Sequence, residues 1–456
     1  MTLRGRDVLI LAALLLVAAG VRLAGLDAAE PLRAQGDERY YVEVADNLAR
    51  GRGHLYVGGM EGKARAWRPP GHAWLLSLVV DESQTVSASP ADDPDVVRPM
   101  ARLETGLGIL LVLLTVLLGR ALFDARVGWM AGALAALHPA LIVHSHYLWS
   151  ETFFGVLITA GLLLVAWASR PCWPLTLAAG AVFGAATLTR EVAGVIAALS
   201  GLWWVWLAKP EERRDRWIQS LALVGICIVI VLPWTLRNHR VLGAWIPVSN
   251  IGWFALAEGN SLESPSWMSR SGPERRKFHA IWFSERDELA RLDLARRHAL
   301  ERIAAEQPAW LGKKLLRNLG LLLNPDSVLR YKLRHGAYGD RPPGFIRLLL
   351  ASSIPFYLLV TSFGILGIAA AADRGRRRLA LLVFGAVIAL HVLANATPRF
   401  RVPWTPLLLT YTGFALVHWR SLPRRLAGSA GVAAALALMV LLGVGLPYYL
   451  TFGPRP

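Results

Sequence analysis

The amino-acid sequence predicts an all-α membrane protein that crosses the bilayer many times. Of its 456 residues, 54% are hydrophobic, and apolar runs recur along most of the chain. Many of these runs are about 20 residues long, which is the length that a helix needs to cross the hydrocarbon core. The short segments between them are rich in Lys and Arg, as the cytoplasmic loops of membrane proteins are. Eighteen Trp residues, many of them near the ends of apolar runs, fit the two aromatic belts at the membrane interfaces.

The charge and the cysteines exclude other classes of protein. The basic segments between spans account for the formal net charge of +17, so we expect no nucleic-acid partner. Cys172 and Cys227 are the only cysteines, and both lie in or beside apolar runs. We therefore expect neither a disulfide framework nor a cysteine-based metal site.

Hydropathy and length place about eleven spans. They cover residues 8–26, 103–122, 127–142, 152–168, 174–188, 192–207, 218–236, 345–370, 379–393, 402–417 and 428–450. The first run follows Arg4 and Arg6 and is long, which predicts a retained signal anchor rather than a cleaved signal peptide. Because few residues follow Leu450, we expect no large soluble C-terminal domain.

The positions of the polar segments divide the chain and predict its orientation. An N-terminal membrane module (1–236) contains a polar loop (27–102) and is followed by a second polar segment (237–344) and C-terminal membrane helices (345–456). If the N-terminus is cytoplasmic, every short loop on the cytoplasmic side is basic, as the positive-inside rule requires. The unusual polar residues then all lie on the outer face, where we expect the functional site.

Three amphipathic helices are predicted in the outer segments. The first begins just after Asp37 and ends near Arg50, with apolar residues at helical spacing between them. The second is predicted to open at Ser284, where Asp287 provides an approximate capping box. The third, residues 310–323, mixes Lys and Arg with leucines, which is typical of a helix in the headgroup region.

The acidic pair Asp37 and Glu38 is the first candidate for chemistry. It lies about ten residues past the first span, close enough to fold back to the membrane surface. A carboxylate there could act as a general base on an acceptor hydroxyl or amine. The alternative is that Asp37 only caps the helix that follows it. Arg68, in the proline-containing segment 67–71, adds a cation to the same loop, although that segment could equally be an ordinary turn.

A second group of polar residues contains His144, His146 and Glu151. Two histidines and a carboxylate could supply ligands to a divalent cation. Residues two apart point to different sides of a helix, so chelation would require a non-helical turn. Ser150 and Glu151 are also a good helix start. We favour a polar role for Glu151 in an active site over metal binding.

Arginines at the outer helix ends are candidates for phosphate binding. They are Arg190, Arg237, Arg399 and Arg401, and Arg190 and Arg237 are followed by Glu191 and Asn238. Arginine binds phosphate with two parallel hydrogen bonds and stays charged. Arginines on the outer side run against the orientation rule, which favours a function. In an extended segment, Arg399 and Arg401 would face one way. Binding of structural anionic lipid is the alternative.

The order of these motifs resembles that of the GT-C membrane glycosyltransferases. The nearest group is the bacterial relatives of protein O-mannosyltransferases and lipid A aminoarabinose transferases. The resemblance implies a bundle of about 11–13 transmembrane helices with periplasmic amphipathic helices over a cavity. It also implies a sugar donor linked to a polyprenyl phosphate such as undecaprenyl phosphate, and a catalytic base that falls on Asp37.

The hypothesis is an inverting transfer of a hexose or pentose at the periplasmic face of a bacterial inner membrane. Asp37 and Glu38 are the catalytic candidates, and the four arginines are the candidates for the donor phosphate. The residues predicted to orient the reactants are Tyr40, Tyr41, Arg68, Glu151, Glu191 and Asn238. The acceptor stays open between lipid A, another glycan and a protein, and a divalent cation is an open cofactor.

Two alternatives use the same residues. A flippase for a lipid-linked sugar would use the arginines as a substrate path, and a ligase or polymerase of lipid-linked oligosaccharides would differ in its acceptor. Transporters commonly have inverted halves and broken helices at the membrane midplane. This chain instead concentrates its polar residues on one side, which favours an enzyme.

Overall fold

Helices and the turns between them make up the described part of the chain. The computed structural model describes residues 5–29, 34–58, 63–83, 89–168, 170–260, 273–305, 307–325, 329–334, 338 and 342–447. An isolated antiparallel bridge between Tyr56 and Ala64 is the one β contact within these ranges. The predicted all-α fold class is confirmed.

Twenty α-helices lie within the described residues. In chain order they are α1 (Gly5–Ala28), α2 (Asp37–Ala49), α3 (Gly71–Ser77), α4 (Pro94–Leu122), α5 (Ala125–Leu137), α6 (Pro139–His144), α7 (Glu151–Trp167), α8 (Trp173–Thr187), α9 (Val192–Leu207), α10 (Arg213–Leu242), α11 (Ile251–Asn260), α12 (Pro273–Ser284), α13 (Glu288–Ala305), α14 (Ala309–Leu323), α15 (Leu329–Arg334), α16 (Pro343–Ala370), α17 (Arg374–Leu393), α18 (Thr405–Val417), α19 (Leu422–Arg425) and α20 (Ser429–Val440). A 3₁₀ turn, Pro398–Trp404, precedes α18. Each predicted span overlaps one or two of these elements.

Fewer helices than the predicted spans are long enough to cross a membrane by themselves. Among the described residues, α1, α4, α10 and α16 have the necessary length and hydropathy, and α19 with α20 would add a fifth despite a bend of 109°. The apolar helices α5, α7, α8 and α9 have only 13 to 17 residues. At 1.5 Å per residue, such helices extend about 20–26 Å. The predicted span 127–142 is interrupted at His138, before Pro139, because a proline disfavours a helical residue in front of it.

Glycines allow the helices of the bundle to approach closely. A Cβ atom on Gly119 of α4 would lie 2.9 Å from the Cα of Gly128 in α5. A Cβ atom on Gly367 of α16 would collide with the carbonyl oxygen of Tyr411 in α18. Small residues at such positions let backbones meet where side chains would hold them apart. These contacts fix the core helices on which the polar residues are mounted.

The polar loops separate to the two ends of the bundle. At one end, Arg216 donates to the carbonyl of Ala168 at 2.9 Å, and the Trp203 indole donates to the carbonyl of Gly375 at 2.6 Å. We call this the basic end, because it carries the Arg-rich starts of α10 and α17. At the other end, which contains Asp37, the Gly71 amide donates to the carbonyl of Leu188 at 2.8 Å. The sequence predicted this separation of basic loops from the candidate residues.

Helices α2, α3 and α11 to α14 cover the Asp37 end. Glu288 joins two of the polar segments, since its carboxylate accepts the amide N–H groups of Arg65 at 2.7 Å and Ala66 at 2.9 Å. The predicted helix start at Ser284 is wrong. Ser284 ends α12, and Asp287 caps α13 by accepting the amides of Leu289 and Ala290. The predicted start is about one turn too early, because α12 ends at Ser284 and α13 begins soon afterwards at Glu288.

Helix α14 is bound to the bundle rather than only to a membrane surface. Lys314 is fully buried, and its ammonium donates to the carbonyls of Gly259 at 2.8 Å and Ala394 at 2.9 Å. Both carbonyls lie at helix C-termini, where the helix dipole favours a cation. Burial lowers the pKa of Lys314 to about 7. The sequence pattern predicted headgroup contact for this helix, but two of its cations, Lys314 and Arg317, point into the protein.

Candidate active site

Asp37 stands at the start of α2 with its carboxylate between two arginines. Gly36 precedes it with φ 58° and ψ −121°, a conformation that glycine adopts readily. Asp37 is therefore the first helical residue and Gly36 takes the capping position. The Asp37 oxygens accept hydrogen bonds from Arg68 at 2.8 Å and from Arg399 at 2.6 Å. The alternative that Asp37 caps the helix does not fit this geometry.

A second carboxylate extends the cluster. Glu151 begins α7, and its side chain is 1% exposed. It accepts a hydrogen bond from Arg190 at 2.5 Å and lies 3.4 Å from Nε of Arg399. Arg190 also donates its Nε–H to the hydroxyl of Ser150 at 3.0 Å. Charges of opposite sign therefore alternate through the site.

We call these five side chains, Arg68, Asp37, Arg399, Glu151 and Arg190, the arginine–carboxylate cluster. Its three guanidinium groups face two carboxylates, which leaves one positive charge unbalanced. Burial alone would raise the pKa of Asp37, but Arg68 and Arg399 outweigh burial and lower that pKa well below its usual range. Burial also opposes the charge of Arg399, yet Asp37 and Glu151 raise its pKa. Asp37 and Arg399 are therefore both ionised at neutral pH.

Aromatic side chains line the cluster. The Arg399 guanidinium lies 4.6 Å from the ring centroid of Trp149, and that of Arg68 lies 4.8 Å from the ring of Trp67 and 5.6 Å from that of Tyr40. The hydroxyl of Tyr41 donates to Ser150 at 3.4 Å. Rings that contact a cation on its flat face leave the N–H edge for other partners. Tyr40 and Tyr41, both predicted to orient reactants, therefore pack on Arg68, whose guanidinium also lies 5.9 Å from the ring centroid of Tyr41.

A large apolar cavity lies beside the cluster. Its volume is about 870 Å³, and mostly apolar residues of α14, α16, α17, α18 and α20 line it. Arg401 is part of the wall, where it donates to the carbonyls of Leu322 at 2.8 Å and Pro325 at 3.1 Å. Its guanidinium lies 4.1 Å from the ring centroid of Tyr357. A cation at the edge of an apolar cavity suits an amphipathic ligand with an anionic head.

The 3₁₀ turn Pro398–Trp404 connects the cluster to the cavity. The prediction that Arg399 and Arg401 face one way is wrong, because the segment is a 3₁₀ turn and not an extended strand. With about three residues per turn, side chains two positions apart point in different directions. Arg399 reaches Asp37 and Glu151, whereas Arg401 contacts the cavity.

Glu38 does not share the environment of Asp37. Its side chain is 5% exposed and accepts hydrogen bonds from Lys332 at 2.6 Å and from the amides of Leu148 at 3.1 Å and Gln35 at 2.8 Å. Consecutive residues of a helix point about 100° apart, so the two carboxylates separate. We correct its assignment from a catalytic residue to one that fixes the position of α2.

Lys332→Met is expected to destabilise the protein by about 3–5 kcal/mol, because it leaves the Glu38 carboxylate buried without its cation. The midpoint of thermal unfolding of the purified protein measures this loss. The double variant Glu38→Gln with Lys332→Met removes both charges and should recover most of the stability. A single variant that unfolds at the wild-type temperature would contradict the assignment of this ion pair.

Three other predicted residues lie away from the cluster. Arg237 donates to the carbonyls of Arg65 at 2.8 Å and His54 at 3.3 Å, so its assignment to the donor phosphate is corrected. Asn238 is fully buried and donates to the carbonyls of Ile246 and Val248. Glu191 accepts the amide and hydroxyl of Ser249 at 3.1 and 2.6 Å. The contacts of Arg237 and Asn238 arise because α10 continues to Leu242, which directs its last residues toward neighbouring loops, whereas Glu191 precedes α9.

The two histidines do not form a metal site with Glu151. His144 Nδ1 donates to the carbonyl of Ala140 at 2.8 Å. The two ring nitrogens of His146 contact the Arg22 carbonyl and the Tyr338 hydroxyl, each at 2.8 Å. In the described part of the chain, no group of three or more His, Cys, Asp or Glu side chains is arranged to hold a metal ion. The residues point apart because they lie on a helix end and a following turn.

The sequence reasoning missed a buried pair behind the cluster. His72 of α3 and Glu104 of α4 are both fully buried, and Nε2 of His72 lies 2.7 Å from the Glu104 carboxylate. The His72 ring packs edge to face with Tyr41 at 4.6 Å between centroids. Glu104 lies within a predicted span, where a carboxylate is rare and tends to mark a functional site, so the sequence did contain a signal for it. Lys332 and Trp149 carried no comparable signal.

Comparisons with known proteins identify the fold. Residues 93–242 match the model of the dolichyl-phosphate-mannose-protein mannosyltransferase family, PMT. No curated protein sequence matches the chain. In a crystal structure of the Archaeoglobus fulgidus oligosaccharyltransferase with Zn and sulfate, the similar part covers 97% of this chain and 52% of that one, with 17% identity and a TM-score of 0.54.

Two further structures extend the comparison. The archaeal oligosaccharyltransferase AglB from Archaeoglobus fulgidus, in complex with an inhibitory peptide and a dolichol-phosphate, has 16% identity, covers 96% of this chain and 55% of that one, and gives a TM-score of 0.54. ArnT from Cupriavidus metallidurans bound to undecaprenyl phosphate has 18% identity over 92% of this chain and 80% of that one, but its TM-score is only 0.41. This chain spans about half the length of the archaeal proteins. The chain has the GT-C fold, and residues 93–242 are similar to the PMT family.

Proposed function

We propose that the protein is an inverting glycosyltransferase that moves a sugar from a polyprenyl-phosphate donor to an acceptor on the periplasmic face of a bacterial inner membrane. One observation carries the proposal. An ionised Asp37 lies between Arg68 and Arg399. The 3₁₀ turn that carries Arg399 also carries Arg401, which lines an apolar cavity of about 870 Å³. A base, a phosphate site and a lipid site thus adjoin each other.

The cavity and the arginines suit the two parts of such a donor. The apolar wall favours a prenyl chain, since burial of apolar surface stabilises the complex. Arg401 at this wall and Arg399 and Arg190 in the cluster are the proposed contacts of the phosphate. The unbalanced positive charge of the cluster adds attraction for an anion. The dolichol-phosphate in the structure of the archaeal protein with the same fold agrees with a lipid-phosphate donor.

Asp37 is the proposed general base. The acceptor hydroxyl or amine attacks the anomeric carbon from the face opposite the phosphate and gives its proton to the Asp37 carboxylate. The bond between the anomeric carbon and the phosphate oxygen breaks, and its electron pair leaves with the polyprenyl phosphate. The configuration at the anomeric carbon is inverted.

The arginines stabilise the reaction because the phosphate gains negative charge as it leaves. A donor phosphodiester carries one negative charge, and the released monoester carries more at neutral pH. Fixed guanidinium groups bind the developing charge more strongly than the ground state, which lowers the barrier. Binding of the phosphate by Arg399 would also draw that guanidinium from Asp37 and make the carboxylate a stronger base.

The test measures chemical transfer with the purified protein in liposomes. A panel of polyprenyl-phosphate sugars is offered with and without an acceptor extract that contains lipid A, glycans and proteins, and released polyprenyl phosphate is measured. We expect release with at least one donor, only when the extract is present. Binding of a donor without release from any member of the panel would overturn the transferase and favour a lipid-linked sugar flippase.

A further inference from the structure

A second cavity, which is smaller and more polar than the first, lies at the basic end of the bundle. Its volume is about 200 Å³, and its wall includes Asp124, Asp373, Arg376, His418 and Arg425. The 20-residue helix α17 leads from this cavity toward the turn that holds Arg399. At 1.5 Å per residue, the two sites are about 30 Å apart. The second cavity is therefore remote from the arginine–carboxylate cluster, although the large apolar cavity extends along α17 as far as Arg377.

Two stacked phenylalanines hold the arginines of this cavity. The rings of Phe123 and Phe414 stack with their centroids 4.7 Å apart. The Arg376 guanidinium lies 5.4 Å from the centroid of Phe123, and the Arg425 guanidinium lies 5.5 Å from that of Phe414. A guanidinium packed on an aromatic ring keeps its N–H edge for a ligand. The structure thus presents two oriented donors at one opening.

The carboxylates in the wall are occupied by backbone groups. Asp124 accepts the amide of Val127 at 3.0 Å, and Asp373 accepts the amide of Arg376 at 2.8 Å, so each caps the start of its helix. Within the described ranges, neither Arg376 nor Arg425 forms an ion pair with a carboxylate; Arg425 donates its Nε–H to the Ser421 hydroxyl at 3.1 Å. The arginines therefore retain N–H groups that no carboxylate of the described residues takes.

The surroundings of the cavity favour an anion. His418 also lines the cavity, but its Nδ1–H is donated to the carbonyl of Phe414 at 3.1 Å, so Nε2 of the neutral ring is an acceptor and the donors to an anion are the two arginines. Four further arginines close to the lining residues in the chain are exposed: Arg374, Arg378, Arg420 and Arg424. Clustered charges of one sign raise the local concentration of the opposite ion. Planar guanidinium groups match phosphate oxygens with paired hydrogen bonds.

We propose that Arg376 and Arg425 form a binding site for a phosphate group at the basic end of the bundle. Anionic phospholipid headgroups and soluble phosphate compounds share this chemistry. If the apolar helices cross a bilayer, their ends at this cavity lie at its surface, so either source can reach it. The site is independent of the transfer reaction and does not require the proposed function to be correct.

The test compares ligands on the purified full-length protein in an uncharged detergent. Equilibrium binding and the thermal unfolding midpoint are measured with phosphatidylglycerol, with diacylglycerol of the same chains and with inorganic phosphate. We expect phosphatidylglycerol to bind and raise the midpoint, and diacylglycerol to have no such effect. Inorganic phosphate with the same effect would identify a soluble source, whereas binding of neither phosphate ligand would overturn the proposal.

Variants of matched charge separate the cavity from the surface. Arg376→Gln with Arg425→Gln is expected to weaken binding at least about tenfold. Arg374→Gln with Arg424→Gln removes the same charge from the same two helices at positions that do not line the cavity, and this pair should bind as the wild type does. Equal loss in both pairs would show only general attraction to the basic surface and would overturn the site.

A third variant keeps the test decisive if the Gln pair does not fold. Arg376→Lys with Arg425→Lys retains both charges but loses the planar fork, so we expect binding to weaken several-fold while the protein stays folded. Unchanged affinity in this variant would contradict a site built on guanidinium geometry.

Discussion

Asp37→Asn is expected to reduce the rate of sugar transfer by about a thousandfold while leaving donor binding intact, because removal of a general base typically costs 10²–10⁴ in rate. The asparagine has the same shape and keeps one carbonyl oxygen for Arg68 or Arg399. It cannot accept the proton of the acceptor. Single-turnover release of polyprenyl phosphate measures the loss, and titration with the donor measures binding.

Glu43→Gln provides the control for this variant. Glu43 lies on the same helix and accepts the backbone amides of Val57 at 2.8 Å and Gly58 at 3.2 Å, away from the cluster. Its replacement is also a carboxylate-to-amide change of constant shape, so we expect wild-type turnover. Turnover at the wild-type rate in Asp37→Asn would remove Asp37 as the base, and the transfer assay would still report whether the protein is a glycosyltransferase.

Arg399→Gln is expected to lower kcat/KM by about 10²–10³, the usual cost of removing one fixed donor to a developing anion. The second expected effect is on pH dependence. Arg399 helps to lower the pKa of Asp37, so its removal should raise that pKa. Because the reaction requires the carboxylate, activity in the variant should fall at a higher pH than in the wild type. A pH–rate profile below neutrality measures the displacement.

Two arginine variants test whether this effect is specific. Arg399→Lys keeps a cation beside Asp37, so the acid limb of the pH–rate profile, where activity falls as the pH is lowered, should stay close to that of the wild type. The planar contact with phosphate is lost in this variant. Arg401 lies on the same turn as Arg399 but donates to the carbonyls of Leu322 and Pro325 instead of Asp37, and Arg401→Gln removes its charge. It should weaken donor binding without moving the acid limb. An acid limb that stays in place in Arg399→Gln would show that the pair with Asp37 does not control the base.

Local sequence patterns predicted the elements that carry the site. The spacing of apolar residues after Asp37 predicted α2, which buries Tyr41, Val44 and Ala45. The position of Glu151 after Ser150 predicted the start of α7. Alternation of basic and polar loops predicted that Asp37, Arg68, Glu151, Arg190 and Arg399 lie at one end of the bundle, and the structure places them in one cluster. Such features depend on neighbours in the chain, so a single sequence contains them.

The pairing of these residues was decided only by tertiary structure. Asp37 and Arg399 are separated by 362 positions in the chain, and Glu38 and Lys332 by 294. No periodicity relates residues so far apart, because their contact depends on how whole helices pack. Of two neighbouring carboxylates in the sequence, Asp37 therefore lies in the candidate active site and Glu38 in a buried ion pair. The 3₁₀ geometry that separates Arg399 from Arg401 likewise follows from packing between α7, α14 and α18, whereas residue pattern alone left the segment looking extended.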